Sequence, residues 1–233
     1  QPYGEVELPG TTFIDTEAEP GEIYEYIIWD NPPLGYGPER SGYLTSGIEV
    51  DESSDRGILI LLYDTTYLNH FLSEFNMFKQ DLIGDGYRVK EIPVDRNDNV
   101  PYIKELIVQT YNEDTVNTNT LFIFGHVPVP YSGSQWLDGH TDHHGAWPAD
   151  TYYADINGIW TDSTVNSTNS TYSWCTNHPG DGKFDQNTIP SLVELAMGRV
   201  DFHALPVFQE SEEELLRLYL IKDHQYRHGI ITQ

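Results

Sequence analysis

Short apolar runs that alternate with stretches of helical periodicity dominate the pattern of the chain. Ile58–Leu62 and Thr120–Gly125 contain uninterrupted apolar runs. Runs of this kind are typical of strands that are buried on both faces in a parallel sheet. Tyr87–Val94 and Glu194–Asp201 have the composition of two further strands, and Pro93 favours the end or the edge of a sheet for the first of them. The pattern predicts four strands.

Segments with helical spacing lie between these strands and after the last of them. One apolar stripe runs from Leu68 to Ile83, Asn99 is in position to cap a second helix, and Ser211 and Glu214 have the spacing of a capping box for a final helix. The order strand, helix, strand, helix, strand implies right-handed crossovers. The predicted fold class over residues 57–233 is therefore α/β, with a mostly parallel sheet flanked by helices.

Residues 1–56 do not continue this alternation. They are rich in Pro, Gly and acidic residues, with one candidate strand at Ile23–Trp29 and a weaker one at Gly42–Val50. We expect an extended arm or a small β-rich segment that packs on the α/β domain. A partly ordered linker is the alternative.

A long segment, residues 126–193, separates the third predicted strand from the fourth. It contains four of the five tryptophans and the only cysteine. Long connections in compact domains are usually functional. The Trp, Tyr and Pro content of this one favours an ordered crossover loop over a flexible linker.

The net charge of the chain argues against some classes of function. Twelve Lys and Arg residues against 37 Asp and Glu residues give a formal net charge of −25. Such a surface repels nucleic-acid phosphates and attracts cations, so nucleic acid is not an expected partner. No apolar run reaches the length of a transmembrane segment. The acidic surface, the scarcity of Lys and the many Tyr, Trp, Asn and Thr residues indicate an extracellular or cell-surface protein.

Four motifs follow one another in an order that resembles the gingipain-type cysteine peptidases. They are Gly125-His126 after a buried strand, the segment Pro148–Tyr153, the turn Asp155–Gly158, and Gly198–Asp201 before the final helix. The resemblance covers about residues 57–229. It implies a caspase-like α/β fold and a secreted bacterial setting.

The same resemblance bears on activity. In gingipain-type enzymes the half with these motifs is the first of two subdomains, and the catalytic His-Gly and Cys lie in the second. The resemblance therefore implies a non-catalytic structural or recognition domain of a larger surface protein. Its expected partners are the other domains of that protein, and a glycan or a protein ligand.

A cysteine endopeptidase is the alternative function. Cys175 would need a nearby imidazole, and the candidates are His126, which follows the third strand, and His144, which precedes Gly145. Catalytic residues on a segment outside this chain are a further alternative. A lone, semi-buried thiol beside Trp174 is the structural interpretation of the same residue.

A cluster of histidines in the crossover is a candidate transition-metal site. His140, His143 and His144 lie next to Asp138 and Asp142. Imidazoles with carboxylates bind zinc or copper. The alternative is that these side chains form hydrogen bonds that fix the crossover.

Two turns in the crossover predict a calcium site. Asp155, Asn157 and Asp162 supply oxygen atoms in one turn, and Asp181 and Asp185 in the other. Carboxylate-rich turns suit hard cations, and calcium is the cofactor we expect. Plain β-turns are the alternative.

Carbohydrate binding is the last hypothesis from the sequence. Trp136, Trp147, Trp160 and Trp174 can stack on sugar rings beside Asp and His side chains. The alternative is that these rings form a small core within the crossover.

Overall fold

The computed structural model describes residues 12–30, 40–50, 54–136 and 138–230. The chain forms two compact units, Gln1–Ser53 and Ser54–Gln233. Parts of the predicted arm, residues 1–11, 31–39 and 51–53, lie outside the described residues. Within the described ranges, no helix is both long and apolar enough to cross a lipid bilayer.

The first unit contains an antiparallel strand pair. Strand β1 (Ile23–Asp30) pairs with β2 (Arg40–Gly47) along its full length. The first strand includes the predicted segment Ile23–Trp29. The second ends at Gly47, three residues before the predicted end at Val50. The Tyr26 hydroxyl donates a hydrogen bond of 2.9 Å to Asp15 in the same unit.

The second unit contains a four-stranded sheet. In chain order the strands of the whole unit are β3 (Ile58–Asp64), β4 (Arg88–Val94), β5 (Thr118–Phe124), the two-residue strands β6 (Tyr131–Ser132) and β7 (Trp147–Pro148), and β8 (Ala196–Val200). Strands β4, β3, β5 and β8 lie side by side in that order, and every neighbouring pair is parallel. The short β6 and β7 form a separate antiparallel pair. The prediction of a parallel sheet is confirmed.

The helices of this unit are α1 (Leu72–Gly84), α2 (Val100–Asn112), the one-turn α3 (Thr151–Ala154) and α4 (Glu212–Arg227). Successive strand residues point to opposite faces of a sheet. Leu59 and Leu61 pack with side chains from α1 and α4, whereas Ile60 and Leu62 pack with α2 and the crossover. The sheet is therefore covered on both faces, which confirms the α/β class.

The ends of two helices follow the capping predictions. The Asn99 side chain accepts a hydrogen bond of 2.8 Å from the Tyr102 amide, and Ser211 accepts one of 3.2 Å from the Glu214 amide. Leu68 packs against the core as the predicted stripe from Leu68 to Ile83 requires, but the prediction is wrong about its helical conformation and about the burial of Ile83. Leu68 begins a 3-10 turn and the α-helix starts only at Leu72, while Ile83 is 51% exposed because Leu82 occupies the core side of that turn.

The crossover between β5 and β8 is ordered by side chains within it. Tyr152 stacks on Phe184 with ring centroids 4.2 Å apart, and Trp160 packs edge-on against both rings. The buried Asn177 amide donates to the carbonyls of Gly133 and Phe184. Through these contacts the crossover extends the hydrophobic core on the α2 face of the sheet.

Candidate functional site

Charged side chains gather where the parallel strands end. Asp64 is the last residue of β3, Gly125 and His126 directly follow β5, and Asp201 directly follows β8. The carboxyl ends of parallel strands meet at one edge, where open α/β sheets bind their ligands. Gly125 has a φ of +81°, and a Cβ there would lie 3.1 Å from the Cβ of Asp64. Glycine therefore lets the chain turn beside β3 and presents His126 at this edge.

His126 is held by a carboxylate. Its Nδ1 lies 2.9 Å from Oδ2 of Asp201, and both side chains are largely buried. The N–H of Nδ1 donating to the carboxylate leaves Nε2 as the basic nitrogen. Within the described residues, Nε2 of His126 has no hydrogen-bond partner. This is the arrangement of an oriented general base or of a metal ligand.

A second imidazole lies on the first. His203 stacks on His126 with ring centroids 3.8 Å apart and an interplanar angle of 26°. Nδ1 of His203 lies 3.1 Å from Glu212, the first residue of α4. Two imidazoles, each held through Nδ1 by its own carboxylate, thus meet face to face at the sheet edge.

Arg96 connects this pair to β3. It donates to Asp64 at 2.6 Å and to Glu212 at 2.9 Å. Burial alone would lower the pKa of Arg96, but hydrogen bonds to Glu212 and Asp64 outweigh this and raise it. The Asp64 side chain is 2% exposed, so the guanidinium neutralises a charge that has almost no contact with water.

Arg199 of β8 holds the start of the crossover against the sheet. It forms a bidentate pair with Asp150, at 2.7 and 2.8 Å, and donates to the carbonyl of Val127. Its guanidinium also lies 3.6 Å from Asp201. Two of the motifs that carry the gingipain resemblance, those of Asp150 and Arg199, therefore contact each other directly.

An open groove of about 430 Å³ lies beside these groups. Glu212 forms part of its wall. The other lining residues are mostly apolar: Phe202, Ala204, Leu205, Pro206, Phe208, Glu210 and Leu215. The groove is open to solvent, unlike the enclosed pockets that usually bind small molecules.

Among the described residues, neither of the predicted Cys–His pairs is joined by a hydrogen bond. Cys175 lies in a 3-10 turn of the crossover and is fully buried. Burial raises the pKa of its thiol, and the weaker attraction of Lys183 does not cancel this. His126 pairs with Asp201 instead, and His144 packs edge-on against Trp136, 5.3 Å away. The thiol therefore lacks the activation that a nucleophile needs.

The carboxylates of the four predicted aspartate ligands accept hydrogen bonds from the protein, and the side-chain amide of Asn157 donates one. Asp155 is buried and accepts hydrogen bonds from Gly158, Trp160 and Ser191. The partners of the others are also protein groups: Asn157 with Glu194, Asp162 with the amides of Gly180 and Gly182, Asp181 with the His178 and Lys183 amides and the Lys183 ammonium, and Asp185 with Thr161, Ser163, Thr164 and Val165. The contacts of Asp155 with Gly158 and of Asp181 with His178 and Lys183 lie within single turns, whereas those of Asp162 and Asp185 join the two segments to each other. Calcium stays a prediction.

Two of the three predicted histidine ligands come together. Nδ1 of His140 and Nδ1 of His143 lie 3.1 and 2.5 Å from the same oxygen of Asp138. One donor atom from each of these residues lies within 4.8 Å of the other two. His144 is not a member of this group.

The tryptophans divide between core and surface. Trp160 packs inside the crossover and donates its indole N–H to Asp155. Trp174 is 59% exposed and stacks on Tyr172, with ring centroids 4.6 Å apart and planes at 9°. The core interpretation holds for Trp160. Carbohydrate binding at the exposed rings stays a prediction.

Sequence reasoning singled out His126 but missed its partners at the sheet edge. Asp201 and His203 follow the last strand and Arg96 follows β4, so their positions after predicted strands were the available signal. Glu212 carried no such signal, because an acidic residue in the first turn of a helix is already explained by the helix dipole.

Comparisons with family models, with curated proteins and with solved structures found no significant match to this chain.

Proposed function

We propose that this chain is a non-catalytic structural or recognition domain of a secreted, gingipain-like surface protein, corresponding to the first subdomain of a caspase-like fold. The observation that carries the proposal is the state of Cys175. The only thiol of the chain is fully buried, and its pKa is raised by that burial. A thiol in this state is protonated at neutral pH and is a poor nucleophile.

The contacts of the motif residues support a structural role. Arg199 binds Asp150, and Glu194 binds both the amide of Ile156 and the side chain of Asn157. Each contact ties the crossover to β8 or to the residues just before it. The motifs therefore hold a long loop in one conformation, as a recognition surface requires.

A peptidase assay on the purified chain tests the proposal. We expect no hydrolysis of casein or of a peptide library, with equal background for the wild type and for Cys175→Ser under reducing conditions. Hydrolysis that the wild type shows and Cys175→Ser loses would overturn the non-catalytic assignment. Circular dichroism of both proteins provides the folding control.

The second candidate is a cysteine endopeptidase whose nucleophile lies on a segment outside this chain. The favouring observation is His126, whose Nδ1 is held by Asp201 and whose Nε2 has no hydrogen-bond partner among the described residues. In this case His126 would act as the general base of the assembled protein.

The protein from its native source distinguishes the two candidates. Intact mass spectrometry shows whether the mature species exceeds 26.6 kDa. If that species is a peptidase, the His126→Gln variant decides between the roles. A loss of kcat of about a hundredfold or more favours the second candidate, since general bases contribute this much. Unchanged kcat favours the structural domain.

A further inference from the structure

A second cluster of histidines with a carboxylate lies away from the sheet edge, between α1 and α4. Asp81 comes from α1, and His224 and His228 come from the last turn of α4 and the residue that follows it. Nδ1 of His224 lies 2.8 Å from one oxygen of Asp81, and Nε2 of His228 lies 2.9 Å from the other. The two ring centroids are 4.3 Å apart.

The packing of the two helices fixes these side chains. Residues four apart lie on the same helix face, which puts His224 and His228 together. Leu82, the neighbour of Asp81, packs in the same core as Leu216 and Leu220 of α4. Asp81 and His224 therefore stand on two helices that pack on the sheet, and His228 is the C-cap residue of α4.

The donor atoms match one class of cation. One ligand atom from each of the three residues lies within 4.8 Å of the others. We propose that Asp81, His224 and His228 form a zinc site that joins α1 to α4, with a fourth position open to water. Two imidazole nitrogens and one carboxylate oxygen suit zinc, whereas calcium and magnesium require oxygen ligands throughout.

The distances allow this site with little rearrangement. Two ligand atoms of a tetrahedral zinc ion with bonds of about 2.0 Å are roughly 3.3 Å apart. The observed separations of 2.8 and 2.9 Å join the two imidazole nitrogens to different oxygens of Asp81 and are slightly shorter, and one ligand atom from each residue lies within 4.8 Å of the other two. Small side-chain rotations thus make room for the ion. The His228 side chain is 53% exposed, so the site is open to an entering ion.

The surroundings do not repel a cation. The guanidinium of Arg227, which lies between the two histidines in the sequence, is paired with Asp223 at 2.7 Å and with Asp85. Its charge is thus compensated locally, and the net charge of −25 attracts cations to the surface as a whole.

The crossover cluster of Asp138, His140 and His143 serves as the matched comparison. There both imidazoles approach a single carboxylate oxygen, and the residues lie in a loop. A site on two packed helices is more rigid, which favours metal affinity. The zinc titration is therefore carried out on a His140→Gln/His143→Gln background, so that the crossover cluster cannot contribute.

Isothermal titration with ZnCl2 on that background tests the proposal. We expect one bound zinc ion, a higher melting temperature, and a cobalt(II) absorption spectrum typical of a tetrahedral site. Adding His228→Gln should weaken zinc binding at least about tenfold, since even residues that only support a ligand contribute that much. Asp81→Asn and His224→Gln should have the same effect. Because His228 is exposed, its variant is expected to fold, and circular dichroism checks this.

Two outcomes would overturn the inference. One is the absence of zinc binding to the folded background protein at millimolar metal. The other is zinc binding that His228→Gln and His224→Gln leave unchanged. Neither outcome affects the peptidase assay, so this inference and the proposed function are tested separately.

Discussion

Asp64 illustrates how single residues hold the candidate site in place. Its carboxylate is buried at the end of β3 and receives two hydrogen bonds from Arg96, which also binds Glu212 of α4. A buried ion pair contributes little by itself, but removing one partner leaves a charge without compensation. The stability of the sheet edge therefore depends on Arg96 more than the strength of the pair would suggest.

We expect Arg96→Met to lower the free energy of unfolding by about 3 kcal/mol, because Asp64 is then buried as an unpaired charge. Urea denaturation at neutral pH measures the change. The double variant Arg96→Met/Asp64→Asn removes both charges and should recover part of the loss. If the two single losses simply add in the double variant, Arg96 does not act through Asp64.

Asp155 provides a second test at the scale of a residue. Its buried carboxylate accepts hydrogen bonds from the Gly158 amide, the Trp160 indole and the Ser191 hydroxyl. Asp155→Ala leaves these donors without an acceptor and should lower the free energy of unfolding by about 3 kcal/mol. It should also change the fluorescence of Trp160. Asp138→Ala, at an exposed position of the same crossover, is the control and should have a much smaller effect.

Side-chain partners were the part of the site that the sequence could not supply. Arg96 and Glu212 are 116 positions apart, and charged residues are common on every surface. The Asp-x-Asn-Gly turn at Asp155–Gly158 likewise fits a calcium loop and a closed β-turn equally well. Only the positions in space of Trp160 and Ser191, which donate to the turn, and of Glu194, which accepts from it, show which partners the turn has.

Among the elements, the central strands were predictable because they are buried on both faces. Ile58–Leu62 and Leu121–Phe124 lie inside β3 and β5, and an uninterrupted apolar run of this length is the usual pattern of such a strand. The short elements of the crossover, β6, β7 and α3, were not predictable. They contain two to four residues each, and no periodicity can be recognised over that length.

The one-turn helix α3 depends on a lysine from α2. The ammonium of Lys104 donates to the carbonyls of Tyr152, Tyr153 and Asp155, which are the free carbonyls at the end of α3. Burial lowers the pKa of Lys104 from 10.5 to about 8, despite the opposing attraction of Asp155 and Glu194. The folded chain therefore releases this proton at a lower pH than the unfolded chain does.

The lowered pKa of Lys104 predicts the direction in which the free energy of unfolding changes with pH. Between pH 8 and 10.5 the unfolded state binds more protons at Lys104 than the folded state, so the contribution of Lys104 to stability rises with pH. We expect the free energy of unfolding of the wild type to rise relative to Lys104→Met between about pH 8 and pH 9.5. A constant or falling difference would contradict this. Lys222→Met, at an exposed position of α4, is the control.

At the scale of the whole molecule, the excess of acidic residues determines how the protein responds to salt. A net charge of −25 produces self-repulsion in the compact state, which dissolved ions screen. Any cation therefore stabilises the fold to some degree. A calcium effect has to exceed this general screening before it indicates a site.

The calcium prediction is tested with metal-free protein. We expect CaCl2 to raise the melting temperature by more than NaCl or MgCl2 at equal ionic strength, if a site forms from Asp155, Asn157, Asp162, Asp181 and Asp185. Equal melting temperatures in the three salts would exclude the calcium site and leave screening as the only effect.

Because Cys175 is buried, the reactivity of its thiol can be used to measure local opening of the crossover. The backbone around this residue is closed by hydrogen bonds, among them the one from the Ala146 amide to the Cys175 carbonyl. A thiol reagent can reach the sulfur only when this segment opens. Because the chain contains no other cysteine, the labelling rate under native conditions measures the free energy of that local opening, separately from global unfolding.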